Sequence, residues 1–403
     1  MTEGTSAPSV ANAVRYDPYD VAINADPYPT FRRLREEAPL YFNEEYDFYA
    51  VSRFDDVELR LRDRGTFISS RGGILELIKS GIEIPPGTVI FEDPPAHTIH
   101  RSVLTRMFTP RQVAGLEPQI RRYCAEALDP HVGTAGFDLI RELGAQMPMR
   151  VIGMLLGIPE ADQSLVRDGV DARLRTEAGQ PMDHSDGFAS GDIFGDYVDW
   201  RVEHPSDDTM TEMLAAEFED ETGSPRRLSR DELLTYIAVV AGAGNETTSR
   251  LIGWMGKTLA DHADQRREIV NDRSLVPNAV EEVLRYEPPA PHVGRFVARD
   301  VEFHGVTVPA ESAILFLVGA ANRDHRRFEA ATISTSTGRR VSHLTFGYGA
   351  HFCLGAALAR LEGRVALDEL LQRFPACDVD LANAELTSTS TVRGWETLPI
   401  VLP

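Results

Sequence analysis

Apolar positions recur along the chain in helical and in strand spacing, in different stretches. An amphipathic segment, Thr30 to Glu37, follows Pro27-Tyr-Pro29, and Leu40-Tyr-Phe42 and Phe48-Tyr-Ala-Val51 flank a polar Asn43-Glu-Glu, which predicts a short hairpin. Arg71 to Pro95 is rich in Gly and Pro and predicts a long loop, a kind of segment that often lines binding sites. From about Ala96 to Ala290 the spacing is mostly helical. Ser229-Arg-Asp-Glu232 has the form of a capping box and opens a long apolar helix through Leu233, Ile237 and Val240. Val301 to Val308 alternates around His304-Gly305, a second hairpin; Leu354 to Phe374 is helical, with Leu358, Leu361 and Val365 on its apolar stripe; Leu398 to Val401 is strand-like. No repeat and no linker divides the chain. The pattern predicts a mostly α protein of α+β class, with small sheets at the margin of a helix-rich domain. Residues 1–15 read as a flexible arm and 16–403 as a single domain.

Composition narrows the function. The chain has 403 residues, 42% hydrophobic and 26% charged, as in a globular enzyme. A net charge of -21 argues against general nucleic-acid binding, while leaving room for a local basic patch. Three widely spaced cysteines, Cys124, Cys353 and Cys377, form no disulfide framework, and a reducing cytoplasmic setting is expected. The N-terminus lacks an apolar signal core, and the longest apolar run, Ile314-Leu-Phe-Leu-Val318, is far below the ~20 residues a span needs. No membrane anchor is expected.

Two strings break the local rules. In Phe346-Gly-Tyr-Gly-Ala-His-Phe-Cys-Leu-Gly355, glycines six and four residues before Cys353 allow a tight loop, and the cysteine falls just before an amphipathic helix. Helix-start N–H groups favour a thiolate, which suits iron ligation. Taken alone, Cys353 reads first as an inert buried thiol, with a nucleophile paired with His351 as the rival. Ala241-Gly-Ala-Gly-Asn-Glu-Thr-Thr248 places two glycines, an acid and two hydroxyls inside the long apolar helix, which costs roughly 1 kcal/mol per glycine against alanine. Such conflicts are expected at functional sites, though a helix crossing eased by small residues explains the glycines too.

The ten-residue cysteine string resembles the haem-binding loop of the cytochrome P450 family. The resemblance implies that Cys353 is the axial ligand of haem b, that Phe346 packs near its sulfur, and that His351 reaches a haem propionate. The helix string resembles the family's oxygen-activation segment, Ala/Gly-Gly-x-Asp/Glu-Thr. It assigns Gly244, Glu246 and Thr247: the threonine holds water where oxygen binds, and the acid relays protons. Asp93-Pro-Pro-Ala-His97-Thr-Ile-His-Arg101 matches the family string in which His97 and Arg101 bind propionates, and Arg295 matches a further propionate arginine. His100 lies outside that pattern and reads as ordinary. Glu282-Val-Leu-Arg285 alone reads as a solvated surface pair, but before Tyr-Glu-Pro-Pro it resembles the family's structural charge pair, which helps lock the segment that supports the cysteine loop. Where the family's Pro-Asp-rich stretch and third charged residue belong, the chain reads Glu329 to Gly338 and then Arg339-Arg340, either of which could complete the network.

The implied activity is a soluble bacterial haem-thiolate monooxygenase. It would use O2 and electrons from a ferredoxin and ferredoxin reductase to oxidise an apolar small molecule such as a lipid or terpenoid. Rival readings are a haem-thiolate peroxygenase using peroxide, a non-catalytic haem sensor and a cysteine hydrolase. Substrate contacts are expected from Ile74, Leu75, Leu77, Ile78, Ile82, Val89, Ile90 and Val293 and from the helix near Val239 and Val240. Lys79 and Glu83 either orient a polar end or face water. Arg101, Arg106, Arg111, Arg360 and Arg364 are expected to form the partner's basic docking patch.

Overall fold

A computed structural model describes residues 14–182, 194–206, 208–328, 342–389 and 391–403. The long helix is Arg230–Asp261. The Ser229 hydroxyl accepts the Glu232 N–H at 3.2 Å and the Glu232 carboxylate accepts the Ser229 N–H at 2.8 Å, so two donors the helix start would otherwise leave unpaired are satisfied. Beyond its first turns this helix is apolar on most sides, because other helices surround it. Met147–Leu156, Val276–Tyr286 and Ala356–Arg373 all pack against it, and together they enclose the largest core.

A five-stranded sheet lies beside the bundle. Leu40–Asn43 pairs antiparallel with Phe48–Val51, as the first hairpin predicts, with Tyr41 opposite Ala50. Phe48–Val51 runs parallel to Ala313–Phe316, which pairs antiparallel with Val293–Val297; Phe67–Ile68 closes the far edge. The longest apolar run of the sequence is thus this central strand and its exit, with Ile314 to Leu317 all fully buried, as a strand covered on both faces requires. The second hairpin forms as Val301–Phe303 and Val306–Val308. Pro399–Val401 pairs with Asp378–Val379 and Gly136–Asp138.

The Arg71–Pro95 segment is less of a loop than its composition predicts. It holds a helix, Leu75–Ser80, and a single turn, Val89–Phe91. Leu75 and Ile78 drop into a core with Phe31, Phe48 and Leu315, so burial against the sheet orders them despite the flanking Gly and Pro. The expected arm falls almost wholly on residues 1–13, outside the described residues; Val14 is buried and Tyr16 packs on Phe31 with ring centroids 5.8 Å apart. Arg339 and Arg340 also lie outside the described residues. No helix among the described residues is long and apolar enough to cross a membrane.

Candidate active site

The cysteine loop is a closed, braced turn. Gly347 and Gly349 have φ of +69° and +74°, and a side chain on Gly349 would start 2.8 Å from the Leu61 carbonyl. The Cys353 N–H donates to Phe346 O at 2.8 Å, and helix Ala356–Arg373 begins three residues later. Buried links brace the approach. Arg285 donates to Glu282 at 2.7 and 2.8 Å and to Asn322 O at 2.7 Å, Asn322 donates to Thr345 Oγ1 at 2.9 Å, and Thr345 donates to Leu284 O at 2.6 Å. The Glu282–Arg285 pair is therefore a buried structural pair and not a solvated one. Arg360 grips Glu281 at 2.6 and 3.0 Å and covers the Phe346 ring at 4.3 Å.

The loop borders a cavity of about 400 Å³. Seven of the nine residues singled out from the sequence line it: Arg101, Gly244, Thr247, Arg295, Phe346, His351 and Cys353. Cys353 faces this space, while Cys124 and Cys377 are buried elsewhere. The helix start was expected to favour a thiolate at Cys353. Desolvation pushes the Cys353 thiol pKa up, while the Gly355 N–H at the helix start, Arg101 and Arg360 pull it down, the direction expected from the sequence. A bound metal deprotonates a coordinating thiol.

Arginine and histidine side chains collect at one end. Arg295 is buried, its pKa pushed down to about 10 by desolvation. His351 is pushed down to about 3 by burial and by Arg295, His97 and Arg101, and its Nε2 sits 3.2 Å from Ser69 Oγ. His97 stands just behind the wall, 4.2 Å from the His351 ring, its buried Nε2 without a hydrogen-bond partner. Arg101 donates to Phe352 O at 2.5 Å. A buried cation needs an anion; Asp93 acts on Arg295 from behind the wall, and among the described residues that line the cavity the one carboxylate is Glu362, whose pKa burial pushes well up. A haem with two propionates beside a thiol fits this donor set.

The helix string divides. Thr247 reaches the cavity, and its hydroxyl donates to Ala243 O at 2.7 Å. Glu246 does not line the cavity. Adjacent helix residues point about 100° apart, and Glu246 turns into the protein, where Arg250 meets it at 3.2 Å. The acid–hydroxyl pair is adjacent in sequence but is not assembled side by side on the wall. Gly244 lines the cavity, and a Cβ there would also fall 2.6 Å from Ile152 Cδ1. The tight helix crossing and the ligand space thus both require a small residue. Of the expected substrate contacts, Val89, Ile90, Val239, Val240 and Val293 line the cavity; Ile74, Leu75, Leu77, Ile78 and Ile82 do not. Lys79 is spent on a surface pair with Asp47 at 2.5 Å and Glu83 is exposed, so neither faces the cavity.

A profile of the cytochrome P450 family matches residues 196–380. The putative cytochrome P450 123 of Mycobacterium tuberculosis is 37% identical over 391 residues, spanning 95% of this chain and 96% of the relative. The chain belongs to the cytochrome P450 family. A mutant of P450 EryK in complex with erythromycin B superposes with a TM-score of 0.84 at 30% identity, covering 95% of this chain and 97% of that one. CYP109E1 from Bacillus megaterium in complex with testosterone gives 0.84 at 26% identity, covering 95% and 99%. The protein is a haem-thiolate monooxygenase with the P450 fold, acting with redox partners on a hydrophobic substrate.

This P450 also carries a cavity residue that the sequence reading passed over. Glu362 is 1% exposed and lines the cavity, with Oε2 unpaired. Burial raises its pKa well above the usual range, against a hydrogen bond from Thr248. Its position four residues after Leu358, on the apolar stripe, was the available signal. An acid whose pKa is raised on folding binds its proton more tightly in the native state, so its cost is absent below the unfolded pKa and grows as pH rises above it. Glu362→Gln is expected to raise the melting temperature at pH 7–8, with the gain vanishing below about pH 4. Thermal unfolding across that range checks it.

Proposed function

We propose that Cys353 supplies the axial thiolate of the haem, that Arg101, Arg295, His351 and His97 receive its propionates, and that the substrate is an uncharged, predominantly apolar molecule. One observation carries the reading: Cys353, among the three cysteines, lines a cavity into which Arg101, Arg295 and His351 also project. Bound haem supplies the chemistry R–H + O2 + two electrons + two protons → R–OH + water.

The chain's residues do the rest. The Thr247 hydroxyl gives its proton to Ala243 O in the resting helix, which leaves its lone pairs to accept from a water in the cavity. Glu246 faces Arg250, and it relays protons to that water by turning from this partner. Val89, Ile90, Val239, Val240 and Val293 exclude water and hold apolar surface at about 25 cal/mol per Å2 buried. Relatives whose structures hold erythromycin B and testosterone support a sizeable organic substrate. Titrating the ferric protein with hydrophobic compounds is expected to shift the Soret band to the blue. If only small charged metabolites produce the shift, the apolar reading falls.

The electron donor we propose is an acidic ferredoxin served by its reductase, in the cytoplasm. Of the five arginines expected to dock it, Arg360 is tied to Glu281 and Arg101 to Phe352 O, whereas Arg106 and Arg111 are exposed and carry no ion pair among the described residues. A local basic patch steers an acidic partner even to a protein of net charge -21. Arg106→Glu is expected to slow reduction by an acidic ferredoxin several-fold, with salt slowing the wild type likewise. Stopped-flow rates insensitive to both would refute this docking.

A further inference from the structure

The geometry points to His100 as the positioning residue that pins the cavity roof to the long helix, and so controls how apolar ligands enter and stay. This rests on the reading above that the cavity takes the substrate. The His100 ring is 6% exposed. Its Nδ1 lies 2.8 Å from both oxygens of Glu92, and its Nε2 faces Glu232 Oε1 at 3.8 Å. Phe218 and Tyr236 meet the ring edge-on, with centroids 6.1 and 5.7 Å away.

Both carboxylates are anchored elsewhere. Glu92 Oε1 also accepts the Gly87 N–H at 2.8 Å, which closes residues 87–92 into a loop. Glu232 belongs to the first turn of helix Arg230–Asp261 and is clasped by Arg226 at 2.7 and 2.8 Å and by the Ser229 N–H at 2.8 Å. The closed loop contributes Val89, Ile90 and Phe91 to the cavity wall, and the helix contributes Val239, Val240 and Thr247. One imidazole therefore joins a loop of the wall to the helix that carries the Thr247 hydroxyl.

Without the ring, two buried carboxylates, 11% and 12% exposed, lose the group that joins them, and Glu92 keeps only the Gly87 N–H while Glu232 keeps Arg226 and the Ser229 N–H among the bonds described. Like charges in low dielectric repel, and the lightly anchored partner yields. Glu232 is held by an arginine and a helix cap, so the 87–92 loop is the part that lifts.

The test is made on the holoprotein. His100→Leu is expected to accelerate amide exchange in residues 86–92, with the distant helix Val276–Tyr286 unchanged. It is also expected to speed dissociation of a hydrophobic Soret-shifting compound by roughly tenfold, the worth of one hydrogen bond to a charged group. Carbon monoxide, too small to touch the roof, binds as before. Glu92→Gln alone keeps the shape of the contact and loosens the loop less. Added to His100→Leu, it restores slow exchange by removing the repulsion. Unchanged exchange at 86–92 in His100→Leu, uniform acceleration across the whole chain, or no restoration by Glu92→Gln each overturns the proposal. Exchange is read without added ligand, so a failure to find any apolar ligand counts against the substrate reading and leaves this one standing or falling by itself.

Discussion

Replacing Cys353 with alanine abolishes the red-shifted Soret band of the reduced, carbon monoxide-treated protein. The expected loss is complete, because Cys124 and Cys377 lie buried outside the cavity with thiols pushed up by burial, and no other residue of the wall supplies a thiolate. The fold is expected to survive. The bond that closes the loop uses the Cys353 backbone N–H, and the bracing from Glu282, Arg285, Asn322 and Thr345 does not involve the sulfur. The visible spectrum decides the matter, with far-ultraviolet circular dichroism as the control for folding. A variant that kept the band would remove Cys353 from its assigned role. Cys124→Ala and Cys377→Ala are expected to keep it.

Thr247→Ala is expected to leave haem content and substrate binding near wild type while the product formed per O2 consumed falls by about tenfold or more, the missing oxygen appearing as peroxide. The magnitude follows from the usual worth of a positioned proton donor. The substitution removes the hydroxyl that lines the cavity, and alanine is at home in a helix, so the backbone loses nothing at this position. Thr247→Ser keeps an oxygen there and is expected to recover most of the yield. Oxygen uptake, product and peroxide measured together check the outcome. A wild-type ratio at wild-type rates in the alanine variant would show that this hydroxyl does not govern proton delivery.

Much of this site was legible because its parts are local. The cysteine loop is a contiguous string, its glycines sit where positive φ is needed, and the serine cap announces the long helix. What the chain could not show is direction. Glu246 and Thr247 are neighbours in sequence, yet helical rotation sends one to the cavity and the other to Arg250. Leu75 and Ile78 looked like pocket residues because Gly and Pro surround them, but the sheet claimed them first. His100 was passed over as ordinary, since its two carboxylate partners, Glu92 and Glu232, meet only in three dimensions. Glu362 was masked by a regular amphipathic helix in which an acid on the apolar stripe looked like an exception and not a signal.

The sheet also sets a schedule for biosynthesis. Its first hairpin, Leu40 to Val51, leaves the ribosome early, but the neighbour of Phe48–Val51 is Ala313–Phe316, near the other end of the chain. At about 5–20 residues per second, that edge waits tens of seconds for its partner. The cavity wall is assembled from both sides of the same gap, with Leu61 and Gly73 made early and Phe346 to Glu362 made last. Cofactor capture therefore waits until residues 346–362 have been made, and the nascent chain exposes an unpaired apolar strand edge until Ala313–Phe316 arrives.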